Sequence, residues 1–379
     1  MANLLEPWGK FGQMINDRHA YAQQWKTRNE GKVMGYFCTY VPEEIFYAAG
    51  VLPVRILGSH EPEDITSRHI YGAYCPHSRD CLAQGLRGKY DYLDGIAMAQ
   101  TCMHIRQAFD SWRKHVPVDY ICDTYVPNYI SSPHTKKYLV AEFGDIKRSV
   151  EDWVERSISD RDLDRAIEIY NRNRRLMREV YELRKQDPPL LSGAETMEMV
   201  VSSQMMDKEE HTHLLEEALA ELHQGQHRVR PGTRLMMLGS VNDDIGFIRA
   251  VETLGANIVI DDHCTGSRYF WIEVIPEEDR LAAIAQRYID RPPCPHKDYP
   301  EGHRIKHILK LTRDWNVKGG IIAQQKFCDF DEFDIPFILE AFKGEGIESL
   351  WLELDVVNPV AQFRTRIEAF LEMLDPEVV

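Results

Sequence analysis

Short apolar runs alternate with helical patterns twice along this 379-residue chain, and that alternation restricts the fold more than any other feature. A strand followed by a helix and then by another strand pairs in parallel, with the helix crossing over the sheet. After an N-terminal helical stretch to about Glu30, strands are expected near Val33–Phe37, Leu52–Leu57, Gly95–Ala99 and Val118–Cys122. Helices are expected between them near Pro42–Ala49, Pro76–Leu86 and Met103–His115. From about Ser132 to Gln224 the strand signal vanishes, and residues such as Leu163, Ile167, Tyr170, Met177 and Tyr181 recur at helical spacing. The turn Arg230-Pro231-Gly232 opens a second alternation. Its strands are expected near Arg234–Leu238, Asn257–Asp261, Gly319–Ala323 and Ser349–Leu354, with helices near Asp243–Leu254, Glu277–Tyr288, Arg304–Asp314, Ile335–Phe342 and Gln362–Leu374. The expected fold is α/β: two doubly wound parallel-sheet domains, 1–131 and 230–379, joined by a helical connector, 132–229. Residue identities show no close internal repeat, although the two halves can share an architecture.

Charge removes one class of partner. Forty-five Lys and Arg against 60 Asp and Glu leave a net charge of −15, the wrong sign for a phosphate backbone. The local cluster Arg172, Arg174, Arg175, Arg178, Arg184 and Lys185 is interleaved with Glu179 and Glu182 and reads as a solvated helix face. The pair His211-Thr212-His213, set among Glu209, Glu210, Glu216 and Glu217, reads the same way. No window of about 18 residues is free of charge, and the first residues lack the basic and apolar regions of a secretory signal. A cytoplasmic protein with no membrane segment is the expectation.

In a reducing compartment the eight cysteines serve packing, catalysis or metal rather than disulfides. Cys38, Cys102, Cys264 and Cys328 each follow an apolar strand-like run and precede a helical pattern, which is where open α/β sheets place their ligands. Cys75 opens a helix in Cys75-Pro76-His77-Ser78-Arg79. A thiol at a helix N-terminus is expected to ionise more easily, and the thiolate is the form that binds metal. Free cysteine is also among the most buried residue types, so packing is the competing use. Six helical positions separate Cys75 from Cys81, about 240° of rotation, which turns Cys81 toward the core. Cys122 reads as a strand-end packing residue and Cys294 as a loop cysteine. Neither C-x2-C, nor H-E-x-x-H, nor a P-loop occurs in the sequence. Widely separated single cysteines are compatible with a cluster to which each loop gives one thiolate.

The stretch Gly35-Tyr-Phe-Cys38-Thr-Tyr-Val-Pro-Glu43-Glu44, followed by Ala-Ala-Gly-Val-Leu-Pro-Val-Arg55, resembles the opening signature of the 2-hydroxyacyl-CoA dehydratase and benzoyl-CoA reductase family. Cys75-Pro, Thr101-Cys102, Cys264-Thr-Gly, Phe327-Cys328-Asp and the tail from Thr365 to Leu374 carry the likeness along nearly the whole chain, in order. The segments from Cys75 to Asp94 and from Ala99 to Trp112 are most similar to the smaller catalytic-type subunit of the ATP-dependent class I benzoyl-CoA reductases. Met103 and Ala361 stand where many dehydratases carry Asp and Gly. The resemblance implies a [4Fe-4S] cluster held by three cysteines, which map by order and spacing to Cys75, Cys102 and Cys328, with Cys38 the nearest competitor. It also implies a hetero-oligomer with a paralogous iron–sulfur subunit, ATP-hydrolysing activator subunits, a low-potential ferredoxin-type donor and an aromatic acyl-CoA substrate. A radical 2-hydroxyacyl-CoA dehydratase is the alternative reaction.

Reducing an aromatic thioester one electron at a time needs a very low potential. Iron–sulfur centres reach roughly −700 mV, about 300 mV below plant-type ferredoxins. That step costs about 7 kcal/mol per electron at ~2.3 kcal/mol per 100 mV. With no nucleotide motif in this chain, the energy is expected from partner subunits. Any CoA phosphate site on so acidic a chain needs local cations, and Arg55, Arg79 and Arg106 lie near the cysteine loops. Glu44 and His77 are the titratable groups nearest those loops and are the expected proton donors.

Overall fold

The computed structural model describes residues 7–62, 65–224, 227, 229–298 and 302–375, so the first six residues of the expected N-terminal helical stretch lie outside the described residues. Helices α1 (Pro7–Asn16) and α2 (Arg18–Asn29) lead into β1 (Val33–Tyr36), α3 (Glu43–Ala48), β2 (Leu52–Arg55), α4 (Pro76–Leu86), β3 (Gly95–Gln100), α5 (Met103–His115) and β4 (Tyr120–Tyr125). Four helices follow: α6 (Thr135–Val154), α7 (Asp160–Leu183), α8 (Gly193–Ser203) and α9 (Lys208–Leu222). The second alternation is β5 (Thr233–Leu238), α10 (Ile245–Thr253), β6 (Ala256–Asp262), α11 (Ser267–Phe270), α12 (Arg280–Asp290), α13 (His303–Asp314), β7 (Gly319–Gln325), α14 (Asp329–Gly344), β8 (Glu348–Leu354) and α15 (Val360–Leu374).

Both sheets are parallel and share one strand order, β2-β1-β3-β4 in the first and β6-β5-β7-β8 in the second. The expected α/β architecture with two doubly wound sheets is what the chain forms. Burial follows from position in the sheet. β1, β2, β5, β6 and β7 are covered on both faces and buried at every position, whereas the edge strand β4 alternates buried and exposed. Gly239 ends β5 with φ 149°, and a Cβ there would sit 2.3 Å from the Ala323 carbonyl oxygen of β7. Only glycine permits that approach, which brings Ser240 and Val241 to the strand ends.

The strand-free stretch forms four helices joined by short turns, with capping boxes at Ser159/Asp162 and Ser192/Glu195 starting α7 and α8. The halves also interlock directly. Ala283, Ile284 and Tyr288 of α12 pack into the core of the first sheet beside Tyr36, Ile45 and Ala97. Phe11 of α1 and Leu57 pack into the core of the second.

Two surface readings of the sequence are corrected. Arg174 and Arg184 of the basic cluster are buried, Arg174 in an ion pair with the fully buried Glu44, while Arg172 and Arg175 remain at the surface. His211 is also fully buried, with its ring between Asn173 Nδ2 at 2.9 Å and Ser202 Oγ at 3.2 Å, while His213 faces solvent. Charged neighbours on the opposite helix face concealed both. Helix α14 also begins six residues earlier than its apolar periodicity suggests, because Asp329, Asp331 and Glu332 suit the positive end of a helix.

Removing one member of a buried pair strands the other charge, so Arg174→Leu should lower stability by about 3–5 kcal/mol. Urea unfolding at neutral pH measures this, and a change below about 1 kcal/mol would contradict the pairing. A second prediction concerns His60, whose Nε2 lies 3.2 Å from Asp243 Oδ1. Burial works against the charged ring, but the Asp243 carboxylate outweighs it and pushes His60 up to about 9. The ring's contribution is then complete below about pH 6.5 and lost as pH rises through 9. His60→Gln should therefore flatten the fall in stability between those values in pH-dependent urea titrations.

Candidate functional site

The carboxyl ends of both sheets open onto one cavity of about 100 Å³ between the two halves. Three of the helices that start at its wall are capped by cysteine. Cys75 precedes Pro76, which as the first helical residue of α4 forgoes a hydrogen bond the helix start does not need. Its backbone carbonyl accepts from Ser78 Oγ at 2.8 Å. Cys102 caps α5, and its Sγ accepts from the Ile105 amide at 3.4 Å. Cys328 caps α14 directly after Phe327, which holds φ 60°. A bulky residue in left-handed backbone is strained, and such strain gathers at ligand sites.

His104 ties these three helix starts together. Its Nδ1 accepts the Cys75 amide at 3.0 Å, its Nε2 lies 3.7 Å from Asp329 Oδ2, and it stands two residues past Cys102. The rest of the wall brings Cys38, Cys264 and Cys294 to the same space, along with Arg55, His77, Arg268, Arg291, His296 and Asp331. Thr101 Oγ1 donates to Cys38 Sγ at 3.2 Å. His296 stacks on Phe330 at 3.9 Å and closes the wall between the Cys294 loop and α14.

Of the residues singled out in the sequence, Arg55, Cys75, His77, Cys102 and Cys328 therefore share one cavity. Glu44 does not line it; Arg174 and Arg287 hold its carboxylate below the usual range despite complete burial. Arg79 donates to the Tyr74 carbonyl at 3.1 Å and faces Asp355, and Arg106 sits on the exposed side of α5 beside Asp110. Arg55, Arg79 and Arg106 do not converge. Cys81 and Cys122 lie inside hydrophobic cores.

The electrostatics reverse one expectation. Burial pushes the Cys75, Cys102 and Cys328 thiols up, more than their helix starts pull them down, and it moves Cys294 up to about 11. His77 is lowered by burial to about 4 and is neutral at pH 7. Burial raises the Asp331 carboxyl. Meanwhile Arg55 Nε, Arg268 Nη1 and Arg291 Nε, on guanidinium groups almost wholly buried, meet no acceptor among the described residues. Buried guanidinium groups with an N–H still unmet leave room for an anion, and sulfur ligands with bound metal would supply one.

A single zinc ion would need its thiolates about 3.8 Å apart, from tetrahedral bonds of ≈ 2.3 Å. No such group of three donors occurs among the described residues. A polynuclear iron–sulfur cluster would be held by single thiolates from separate loops, such as Cys75, Cys102 and Cys328. The donor set, the unmet N–H groups and the cavity all fit an iron–sulfur cluster. Sequence reasoning missed His104, Arg268, Arg291 and Asp331, whose roles depend on contacts between distant loops; the proximity of Cys294 was signalled only by its Cys-Pro-His tripeptide, the same as at Cys75.

The chain is similar to known proteins along nearly its whole length. The chain is 24% identical over 375 residues to the (R)-phenyllactyl-CoA dehydratase beta subunit of Clostridium sporogenes, covering 99% of this chain and 100% of that one. It is 29% identical over 326 residues to one of the subunits of the benzoyl-CoA reductase of Thauera aromatica, covering 84% of each. Identity to the beta subunit of the lactoyl-CoA dehydratase of Anaerotignum propionicum is 26% over 353 residues, covering 92% of this chain and 94% of the other. The family described as HGD-D, 2-hydroxyglutaryl-CoA dehydratase, D-component, matches residues 38–374, and this chain belongs to it.

Proposed function

We propose that this chain is the iron–sulfur subunit of an ATP-dependent, dearomatising benzoyl-CoA reductase, relaying low-potential electrons one at a time. The observation that carries the iron–sulfur reading is the meeting of three helix-capping cysteines, Cys75, Cys102 and Cys328, in one cavity walled by buried arginines. A bound [4Fe-4S] cluster would supply one-electron redox chemistry. Cys75, Cys102 and Cys328 would hold it, with Phe37, Ile105 and Val241 in the wall around it. His104 of α5 holds the Cys75 backbone amide, and Arg55 and Arg268 would balance the thiolates. For proton traffic, His77 is neutral and accepts, while Asp331, its carboxyl raised by burial, is the better donor. Glu44 stabilises the seam between the halves through Arg174.

The acyl-CoA thioester is placed on a paralogous partner subunit in this reading. Ligand sites for molecules of drug size span roughly 300–1,000 Å³. The cavity, at about 100 Å³, suits a cluster instead. ATP-hydrolysing activator subunits and a ferredoxin-type donor would energise the electron, since this chain has no P-loop. The second reading, a subunit of a radical 2-hydroxyacyl-CoA dehydratase, is favoured by the end-to-end match to a phenyllactyl-CoA dehydratase subunit.

Anaerobically purified protein should be brown, with about four iron per cluster, and should bleach in air. Cys75→Ser, Cys102→Ser and Cys328→Ser should each lose or distort the cluster, whereas Cys81→Ser and Cys122→Ser should keep it. A colourless, zinc-containing preparation, or full iron content in Cys102→Ser, would reject the site. The two reactions separate by stoichiometry. A reductase delivers electrons into product and must consume ATP and reductant in proportion; a dehydratase recycles its electron. With its partner subunits, the complex should consume both stoichiometrically with benzoyl-CoA. Sustained turnover of a 2-hydroxyacyl-CoA after one brief activation, with benzoyl-CoA untouched, would select the dehydratase.

A further inference from the structure

The seam between the halves holds a buried lysine whose partner is a hydroxyl. Lys208, the first residue of α9, is 2% exposed; its Nζ donates to the Tyr269 hydroxyl at 2.7 Å and to the Ser203 carbonyl. Tyr269 of α11 donates in turn to Glu43 Oε1 of α3 at 2.9 Å. All three side chains are buried, and they come from the connector, the second half and the first half.

Stability alone does not call for this arrangement. A buried lysine and a buried carboxylate attract most strongly in direct contact, as Arg174 and Glu44 meet in the same seam. Between Lys208 and Glu43 one hydroxyl intervenes. A hydroxyl both accepts and donates, so a proton leaving Lys208 can be received as the Tyr269 proton moves on to Glu43. Burial brings the two ends toward each other, lowering Lys208 to about 8 and raising Glu43. Lys208 is faced by Glu43 and Glu44 of α3, Arg174 and Tyr170 of α7, and Asp207 and His211 of its own helix and cap. Glu43 is also faced by Tyr36 of β1, Tyr170 and Arg174 of α7, and Tyr288 of α12.

Both ends of the chain of hydrogen bonds lead onward. On the outside, Asp207 caps α9, accepts from the Tyr47 hydroxyl at 3.3 Å and lines a cleft of about 340 Å³ together with the exposed Arg165 and Glu209. On the inside, Tyr269 follows Arg268, and Tyr36 precedes Phe37 and lies within reach of the Arg55 charge. Arg268, Phe37 and Arg55 all line the cysteine cavity.

We propose that Lys208, Tyr269 and Glu43 form a proton relay that brings one proton from the outer cleft into the seam for each electron the chain accepts from a reduced one-electron donor. This rests on the iron–sulfur reading above. An N–H bond of Lys208 breaks as its proton passes to the Tyr269 oxygen, and the Tyr269 O–H bond breaks as its proton passes to a Glu43 oxygen. Solvent in the cleft then returns one proton to Lys208. The donor is oxidised by one electron, and the protein gains one electron and one proton. Negative charge added in an enclosed site is costly, and the proton on Glu43 offsets it.

The test is a pH series of midpoint potentials, measured by anaerobic spectroelectrochemical titration of the full chain reconstituted with ferrous iron and sulfide. Around pH 8 the wild-type potential should fall by about 59 mV for each tenfold drop in proton concentration. Tyr269→Phe, which keeps the ring and removes the hydroxyl, and Glu43→Gln should each flatten that slope. A wild-type potential independent of pH, or an unchanged slope in Tyr269→Phe, would overturn the relay and leave the iron–sulfur reading standing. Metal-free protein supplies a second measurement. With Lys208 lowered from 10.5 to about 8, the unfolded chain binds the extra proton between those values, so stability should rise with pH across that range. Lys208→Met should lose that rise in urea titrations; an unaltered rise would overturn the buried proton site even if Tyr269→Phe fails to fold. Protein that takes up no iron would reject the iron–sulfur reading and the coupling to electrons with it.

Discussion

Buried guanidinium groups set the distance between the two halves of this molecule. Arginine cannot shed its proton in a protein, so each buried one must find acceptors. Arg291 finds them on the loop after β1 and on α11, and Arg55 on Gln204 and the Cys264 carbonyl. Arg174 crosses to Glu44 in the same seam, and Tyr269 donates to Glu43 at 2.9 Å. These contacts are directional, so the strand ends meet at fixed separation. Most of the acceptors are neutral carbonyls, which satisfy hydrogen bonds without cancelling charge. The surplus falls on the cavity.

That surplus acts against the burial around it. An apolar, enclosed site disfavours added negative charge and lowers the potential of a bound redox centre, while nearby cations raise it. The raised thiols carry the same tension: without metal they stay protonated beside the arginines, and ligation must displace those protons. A site of this kind is neutral in its thiols when empty and anionic when filled, and the cations favour the filled state.

Much of the fold was legible in the sequence because strands buried on both faces must be continuously apolar. The strands β1 to β8 lie where those runs are, with shifts at β4, whose exposed alternate positions blur the pattern. The placement of Cys75, Cys102 and Cys328 at helix starts was legible too, since strand ends and a following proline mark them. The seam was not. Arg174, Arg184 and His211 look like surface residues because they stand among polar neighbours in sequence, yet their partners Glu44, Ile258 and Ser202 come from other elements. The same applies to His104 and Asp331, whose chemistry arises where loops from opposite ends of the chain meet.

The shared strand order of the two sheets has a consequence for how such a protein diverges. A scaffold that presents corresponding loops from two sides lets donor groups be gained or lost on one side while the other retains its own. Residue identities between the halves show no close repeat, while Cys-Pro-His occurs in both. Chemistry can change by single substitutions at the loops without any change in the sheets. Sequence relatives acting in different reactions on similar thioesters are what such a two-sided frame would be expected to yield.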